Sequence, residues 1–321
     1  MNITVIGHLC LDTIRGAGAK SPRSDENTTQ SYGGIFFAVA ALANIAAPGT
    51  VIHPVFGVGK NEYVELLNRL GRYTNVNCDG IYKFDGQTNE VFLSYGETGQ
   101  RTECSKHIAE AISFKRIKPY LDTDIVLINM ISGYDITLET LDEIRMHVRD
   151  ARVPIYFDVH SLSLGIGENF IRYRRPLTDW RRWLFWLHAV QMNLEEANGL
   201  STEKFPEPDF AKQVTALNTK ALIITKGEAG CTAYTDEHKH VTRHNYPGNT
   251  VERAVDGTGC GDVFGAAYCA KYVESKDILQ SAEFANTVAA RKAGLRGSHG
   301  IDELERFRLS AITEQVAETK Q

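Results

Sequence analysis

The sequence lacks several patterns that would each point to a class of protein. No apolar run approaches about 18 residues, so we expect no membrane-spanning helix. The six cysteines include no C-x-x-C pair, which is typical of reduced thiols in a cytoplasmic protein and not of a disulfide framework. The formal net charge is −5, from 35 basic and 40 acidic residues, so the basic excess of a general nucleic-acid surface is also missing.

Two common nucleotide-binding signatures are missing as well. There is no G-x-x-x-x-G-K-[ST] segment, which argues against a P-loop kinase. Gly57 and Gly59 have no third glycine at the spacing of a dinucleotide-binding turn, which argues against a dinucleotide-dependent oxidoreductase. Residues 1–7 read as a strand and not as a signal peptide, because they carry no basic segment before an apolar one. We therefore expect a cytoplasmic protein.

What is present is a long alternation of strands and helices. The 321 residues, 43% of them hydrophobic, are enough for one large α/β domain. The alternation predicts a mostly parallel sheet covered on both faces, with ligands at the carboxyl ends of its strands. Residues 9–31 and 76–105 look instead like short antiparallel strands that form a small separate sheet. Helices are predicted at about 35–47, 61–73, 138–151, 177–187, 210–217, 260–273 and 277–293.

The most informative stretch is Asp256-Gly257-Thr258-Gly259-Cys260-Gly261-Asp262, here called the anion turn. It joins a predicted strand at 251–255 to a predicted helix. Glycines permit positive φ and close approach of a ligand, and the first amides of a helix attract anions, so the turn predicts a phosphate site. A carboxylate would repel a phosphate, and Asp262 therefore suggests a general base that takes a proton from an attacking hydroxyl. From these residues alone, an N-capping aspartate remains an equal alternative.

The anion turn resembles the D-T-x-G-A-G-D signature of the ribokinase-like (PfkB) family of small-molecule kinases, with glycine at the second position and Cys260 in place of alanine. The resemblance implies Asp262 as the catalytic base. It also implies that the amides of Gly259, Cys260 and Gly261 stabilise charge on the transferred phosphoryl group. The implied fold is a single three-layer α/β/α domain over residues 1–321, with a mostly parallel central sheet. A small β-sheet lid, formed by about 11–32 and 79–105, would be inserted in it.

Three further segments resemble the nucleotide side of that family. Asn193 and Glu196 match an N-x-x-E motif, in which Glu196 would hold magnesium through water; a helix cap is the alternative. Thr225 and Gly227 match T-x-G-x-x-G and would meet the phosphates or ribose of ATP, unless they form only a tight turn. Asn286 matches a polar position on a late helix beside the adenine. The family often carries potassium near the anion turn, so potassium is a further candidate.

The substrate side is less complete. Asp12 lies where the family places an aspartate that binds sugar hydroxyls, and Gly33-Gly34 match a glycine pair whose bare backbone lets the substrate approach. The family's next polar anchor, an asparagine, is Ala38 in this chain, which weakens the analogy to ribose itself. Arg101 could contact an acidic substrate, although an exposed arginine is the plainer interpretation.

Two smaller hypotheses concern reactive side chains. Cys260 stands at a helix N-terminus, a position that lowers a thiol pKa, so its oxidation could block the anion turn. The alternative is a small residue that fills an alanine-sized space. His238, His240 and His244 share one face of a predicted strand, but no completed ligand set accompanies them, and an exposed edge strand explains them better than a metal site.

The sequence therefore predicts an ATP-dependent kinase that transfers the γ-phosphate to a hydroxyl of a sugar or sugar-like alcohol. A nucleoside or cyclitol kinase of the same family is one alternative, and a catalytically silent regulator that binds nucleotide or sugar is another. We expect a small-molecule substrate and ATP as partners, with no nucleic acid and no membrane. A homodimer formed through the lid is a candidate assembly.

Overall fold

A computed structural model describes residues 1–15, 28–95, 101–237, 240–249 and 255–310. Most of the strand predicted at 251–255, together with His238, lies outside the described residues. The strands, in chain order, are β1 (Asn2–Ile6), β2 (Leu9–Arg15), β3 (Thr28–Gly34), β4 (Val51–Gly59), β5 (Ile81–Phe84), β6 (Asn89–Tyr95), β7 (Arg101–Lys106), β8 (Ile125–Asn129), β9 (Ile155–Asp158), β10 (Leu164–Ile166), β11 (Arg172–Arg174), β12 (Ala189–Asn193), β13 (Ala221–Thr225), β14 (Cys231–Glu237) and β15 (His240–Tyr246).

The main sheet has nine strands within these ranges, in the order β15-β14-β13-β12-β9-β8-β1-β4-β5. The seven strands from β13 to β5 run parallel, whereas β14 and β15 form an antiparallel edge. The central strand β8 is buried at every position, as expected for a parallel sheet with helices on both faces. This confirms the predicted α/β architecture.

Apolar helices cover the sheet. Every residue of the first helix, 35–45, is buried, and this helix packs against the long helix that follows the anion turn. That helix in turn packs along the next one, over 278–292. No helix of the described ranges is long and apolar enough to cross a membrane. The helices are α1 (Ile35–Ile45), α2 (Tyr63–Leu70), α3 (Phe114–Ile117), α4 (Leu138–Val148), α5 (Trp180–Trp183), α6 (Leu194–Gly199), α7 (Glu207–Thr215), α8 (Cys260–Ser275) and α9 (Ile278–Lys292).

A second sheet of four strands stands apart, in the order β3-β2-β6-β7. Its two outer pairs, β2/β3 and β6/β7, are antiparallel, as the sequence suggests. The central pair β2/β6 is parallel and not antiparallel as predicted. Along the chain, β2 follows β1 and β6 follows β5, both of which are strands of the main sheet. Residues 81–84, inside the range predicted for the lid, pair with β4 at the edge of the main sheet.

Polar residues end four neighbouring strands of the main sheet. Asn129 at the end of β8 pairs in register with Asp158 at the end of β9. Asn193 at the end of β12 pairs with Thr225 at the end of β13. Since parallel strands end at one edge, these four side chains border a common crevice, where ligands of open α/β sheets bind.

Candidate active site

The anion turn is shaped by a glycine at the start of α8. Gly259 is the N-cap of this helix and has φ 81°, a left-handed conformation that suits glycine. A Cβ atom at this position would lie 2.6 Å from the ring of Phe37, so the turn also presses directly against α1. The amide of Gly261 follows in the first turn of a helix of 16 residues, while the amide of Cys260 donates to the carbonyl of Gly257 at 3.2 Å. The geometry is that of an anion site.

Asp256 fixes the turn from behind. Its carboxylate accepts hydrogen bonds from the amide of Thr258, at 2.9 Å, and from the amide of Gly297, at 2.8 Å. Its own amide donates to the carbonyl of Ala293 at the end of α9, at 3.1 Å. The amide and the carboxylate of Asp256 therefore both join the anion turn to the segment at and just after the carboxyl end of α9.

Asp262 lies in the first turn of α8 and is only 4% exposed. Its Oδ1 accepts a hydrogen bond from Nδ2 of Asn129, at 2.8 Å, and lies 4.0 Å from Nε2 of His160. The adjacent carbonyl of Gly261 accepts a hydrogen bond from Nε2 of Gln191, at 3.0 Å. Residues from β8, β12 and the segment after β9 thus hold the predicted base in place.

Burial and the neighbouring polar groups shift the pKa of Asp262 in opposite directions. Burial raises the pKa of Asp262, while His160, the hydrogen bond from Asn129 and Lys292 all act to lower it. Burial alone would lower the pKa of His160, but the carboxylates of Asp262 and Asp158 outweigh it and raise that pKa. Imidazolium and carboxylate therefore support each other's charged forms. A carboxylate with a raised pKa in a crevice is the environment of a general base.

Three residues of this cluster were missed at the sequence level. Asn129 and His160 lie far from Asp262 in the chain and meet it only because β8 and β9 are adjacent in the sheet. Lys292, the last residue of α9, is fully buried. The sequence pattern could have indicated Lys292, because it shares a buried helix face with Ala285 and Val288. A lysine is unusual on such a face.

The predicted nucleotide residues lie at adjacent strand ends. Asn193 and Glu196 form a capping box at the start of α6, in which the amide and side chain of Asn193 each donate to the Glu196 carboxylate at 2.7 Å. The alternative of a helix cap is therefore correct as a description of their local contacts. Glu196 also lies within electrostatic range of Asp158, whose Oδ2 is buried without a hydrogen-bond partner in the protein.

Thr225 ends β13 next to Asn193, and Gly227 follows in a short 3-10 turn with φ 57°. Asn286 lies in the middle of α9, where its side-chain amide donates to the carbonyl of Pro247 at 2.9 Å. These described contacts leave Asn286 apart from the cluster around Asp262. The structure thus brings Thr225 to the site's edge but records no contact that joins Asn286 to it.

The predicted substrate residues come together. Asp12 is 3% exposed and accepts a hydrogen bond from the thiol of Cys10, at 3.2 Å. A Cβ atom on Gly33 would lie 1.9 Å from Oδ2 of Asp12, so only glycine fits there, and Gly34 has φ 59°. Burial, then Asp12 and Asp262, raise the pKa of Cys10, which places this group within electrostatic range of the base. The side chain of Arg101 lies outside the described residues.

The hypothesis about Cys260 is wrong in its premise. Burial raises the pKa of this thiol to about 11, because the cost of desolvating a thiolate exceeds the attraction of Lys292. A thiol of this kind is a poor nucleophile at neutral pH. The structure therefore favours the alternative, a small residue that fills limited space.

His240 and His244 lie on β15, the outermost strand of the main sheet, as the edge-strand interpretation predicts. Within the described residues, no cluster of histidine, cysteine and carboxylate side chains could by itself hold a metal ion.

Comparison with known proteins shows which proteins this chain resembles. Residues 171–302 match the family model described as pfkB family carbohydrate kinase. The ribokinase of Bacillus subtilis is 27% identical over 312 residues, which cover 93% of this chain and 95% of that protein. The resemblance to the ribokinase-like PfkB family, first seen in the anion turn, is thereby confirmed. These similarities support a phosphotransferase that acts on an alcohol group.

Solved structures agree on the fold. A ribokinase from Thermotoga maritima has a TM-score of 0.72 at 21% identity and covers 95% of this chain and 98% of its own. A pyrophosphate-dependent kinase in the ribokinase family, complexed with a pyrophosphate analog and myo-inositol, has a TM-score of 0.71 at 16% identity and covers 95% and 99%. The ribokinase-like fold predicted from the sequence is confirmed.

Proposed function

We propose that this protein is a PfkB-type kinase that transfers the γ-phosphate of ATP to a hydroxyl of a sugar or sugar-like alcohol, with Asp262 as the base. The observation that carries the proposal is the position of Asp262: a buried carboxylate in the first turn of α8, directly after the anion turn. Its Oδ1 is held by Asn129 and faces His160. Neither contact is needed for a helix cap, and together they set the charge and direction of a base.

The reaction follows from this geometry. The Asp262 carboxylate takes the proton of the acceptor hydroxyl as that oxygen attacks the γ-phosphorus and the bond to ADP breaks. The amides of Gly259 and Gly261 would stabilise the charge that develops on the phosphoryl group. The amide of Cys260 donates to the carbonyl of Gly257 at 3.2 Å and would join them only after this bond opens. His160 and Asn129 keep Asp262 ionised and oriented until it accepts the proton.

The nucleotide is assigned to the strand ends beside the anion turn. Glu196, fixed by its capping box with Asn193, is suited to hold magnesium through water, with the nearby Asp158 carboxylate as a second negative group. Magnesium, when bound with ATP, would neutralise charge on the phosphates. Thr225 and Gly227 would meet the phosphates or ribose, and Asn286 would border the adenine.

Potassium fits the anion turn less well than the resemblance suggests. The ammonium of Lys292 is buried within electrostatic range of Asp256, the carboxylate behind the turn. A second cation at the same place would be repelled by it.

The acceptor is assigned to the crevice between the main sheet and the small one, which would act as its lid. Asp12, beside the bare backbone of Gly33 and Gly34, would bind hydroxyl groups of the substrate. The similarity to ribokinase supports a sugar. A nucleoside or a cyclitol remains the alternative, because the myo-inositol complex shares the fold and Ala38 replaces a polar anchor. Dimerisation through the lid and a cytoplasmic location complete the proposal.

The test is a coupled ADP-release assay with ATP and magnesium over a panel of sugars, sugar acids, nucleosides and cyclitols. A parallel arm replaces ATP with pyrophosphate and detects the phosphorylated acceptor. We expect turnover with ATP on one class of acceptor and its loss, by about a hundredfold or more, in Asp262→Asn. Turnover only with pyrophosphate would overturn the donor assignment, and ATP binding without turnover on any acceptor would favour the silent regulator.

A further inference from the structure

Lys292 is the least expected charged residue in the molecule. Its side chain is fully buried at the carboxyl end of α9, and its Nζ has no hydrogen-bond partner in the protein. The ammonium faces the ring of Phe37 at 5.2 Å from the centroid, the same ring that packs against Gly259 of the anion turn. One aromatic ring therefore lies near both Lys292 and the anion turn.

The burial of this ammonium opposes folding. An ammonium removed from water without hydrogen-bond acceptors is costly, and the ring of Phe37 offsets only part of the cost. Replacing such a group with an apolar side chain of similar volume is often neutral or stabilising. The stability of the free protein does not explain why a lysine stands here, whereas a role toward a bound anion would.

The surrounding charges are those of the catalytic group. Burial lowers the pKa of Lys292, and Cys260, Asp256, Asp262 and Asp12 oppose that effect. Three carboxylates around one buried ammonium leave an excess of negative charge. Backbone hydrogen bonds join the start of the anion turn to the end of α9. The amides of Val255 and Asp256 both donate to the carbonyl of Ala293, the residue after Lys292.

We propose that Lys292 is a built-in monovalent cation of the phosphoryl-transfer site, which supplies from α9 the positive charge beside the anion turn and makes potassium unnecessary there. It acts as a positioning residue: its ammonium balances Asp256 and Asp262 and stabilises the charge that develops on the phosphoryl group at the N-terminus of α8. This role rests on the proposed function of Asp262 as the base.

The experiment compares wild type with Lys292→Met, which removes the charge and keeps most of the volume. We expect kcat to fall by about tenfold to a hundredfold, with the KM for ATP little changed, because the ammonium acts on the charge of the transition state. The thermal midpoint of the free variant should stay equal or rise. The matched control is Arg291→Met on the same helix, which removes an exposed ion pair with Glu303 and should leave turnover intact.

A second readout needs no turnover. The thermal midpoint of wild type should be the same in potassium chloride as in tetramethylammonium chloride at equal ionic strength, because no potassium binds. Wild-type turnover, where present, should also be the same in the two salts. Potassium-specific stabilisation, tenfold activation by potassium, unchanged kcat in Lys292→Met, or a fall of its thermal midpoint in step with kcat would each overturn the inference. An inactive wild type would instead reject the proposed function, and the two failures are thereby distinguished.

Discussion

His160 occupies a backbone conformation that few side chains adopt, with φ 40°. Its Nδ1 pairs with the hydroxyl of Ser161 at 2.9 Å, and its Nε2 faces Oδ1 of Asp262 at 4.0 Å. Left-handed residues other than glycine are rare and concentrate at functional sites, where neighbouring contacts hold them. In this conformation the imidazole faces Asp262.

A substitution at His160 should change the pH dependence of the reaction. Asparagine tolerates the left-handed region and cannot become charged, so His160→Asn removes the charge and keeps the backbone. Without the imidazolium, the pKa of Asp262 should rise, since its burial is then less opposed. A base must be deprotonated, so the acid limb of kcat should move to higher pH, by roughly one unit. A pH–rate profile of variant and wild type measures the shift.

The exposed His147 on α4 offers the control, because His147→Asn should leave the profile in place. An acid limb that stays put in His160→Asn would show that this imidazole does not govern the base.

The sequence predicted those site residues that belong to one contiguous motif. It missed residues that come close to the motif only when the strands of the main sheet pair. The carboxylate of Asp262 stands beside its glycines in the sequence. Its partners Asn129 and His160 follow strands whose adjacency only the folded topology creates. Lys292 differs from both groups. Its helix was predicted from the apolar pattern, but the lysine on the buried face of that helix was not recognised as unusual.

Among the elements, the anion turn sets the tightest steric requirement. Gly259→Ala would place a Cβ atom 2.6 Å from Phe37 at φ 81°. We expect a loss of about 2–4 kcal/mol in the free energy of unfolding, from left-handed strain plus overpacking. Turnover should fall more than stability alone explains, because the amides of the turn shift. Denaturant unfolding and kcat on the same samples test this.

Gly49 provides a matched control for the strain. It has nearly the same φ, 80°, but a Cβ atom there would meet nothing within 4 Å. Gly49→Ala should cost only the strain, about 1–2 kcal/mol, and keep full turnover. If the two variants lose equal stability and both stay active, the contact between Gly259 and Phe37 is not important.

The predicted bounds of the helices agree with the observed ones only where a clear local signal marks the start of the helix. The helices predicted at 260–273 and 277–293 are α8 and α9 almost as expected, because glycine and an aspartate cap mark their starts. The helix predicted at 177–187 shortens to 180–183, and Trp186 beyond it has φ 52°, which no helix contains. The hairpin of β10 and β11 was missed, since three-residue strands leave too short a pattern to recognise.

For the whole molecule, the partly buried His188, just before β12, should contribute to the loss of stability at acid pH. Burial, with smaller effects of Lys276 and Lys220, lowers the pKa of His188 from 6.5 to about 4. Its Nε2 lies 3.1 Å from the hydroxyl of Tyr268 on α8. Below pH 6.5 the unfolded chain therefore binds a proton at His188, whereas the folded protein does not bind it until about pH 4.

The stability that His188 contributes is therefore complete above pH 6.5 and is lost as the pH falls toward 4. The loss should reach about 3 kcal/mol in the free energy of unfolding. His188→Gln removes the titration, so the difference between the two proteins should shrink steadily from pH 7 to pH 4.5 in urea unfolding. A difference that is constant over this range would contradict the account.

The overall architecture was the most predictable level, because strand–helix alternation leaves few topologies for a parallel sheet. The small sheet was also anticipated, but the parallel pairing of β2 with β6 was not, since pairing between distant strands leaves no local pattern. The common edge of β8, β9, β12 and β13 explains why residues of unrelated segments meet at one crevice.

The central claim is that Asp262 acts in the chemical step and not in holding the nucleotide or the fold. The most direct measurement determines the Kd for ATP and kcat together in Asp262→Asn, on the best acceptor of the panel. Asp277→Asn is the control, since Asp277 caps α9 through the amides of Leu279 and Gln280. The account predicts that Asp262→Asn binds ATP as wild type does while kcat falls about a hundredfold or more, and that Asp277→Asn keeps its kcat. A near-normal kcat in Asp262→Asn would contradict it.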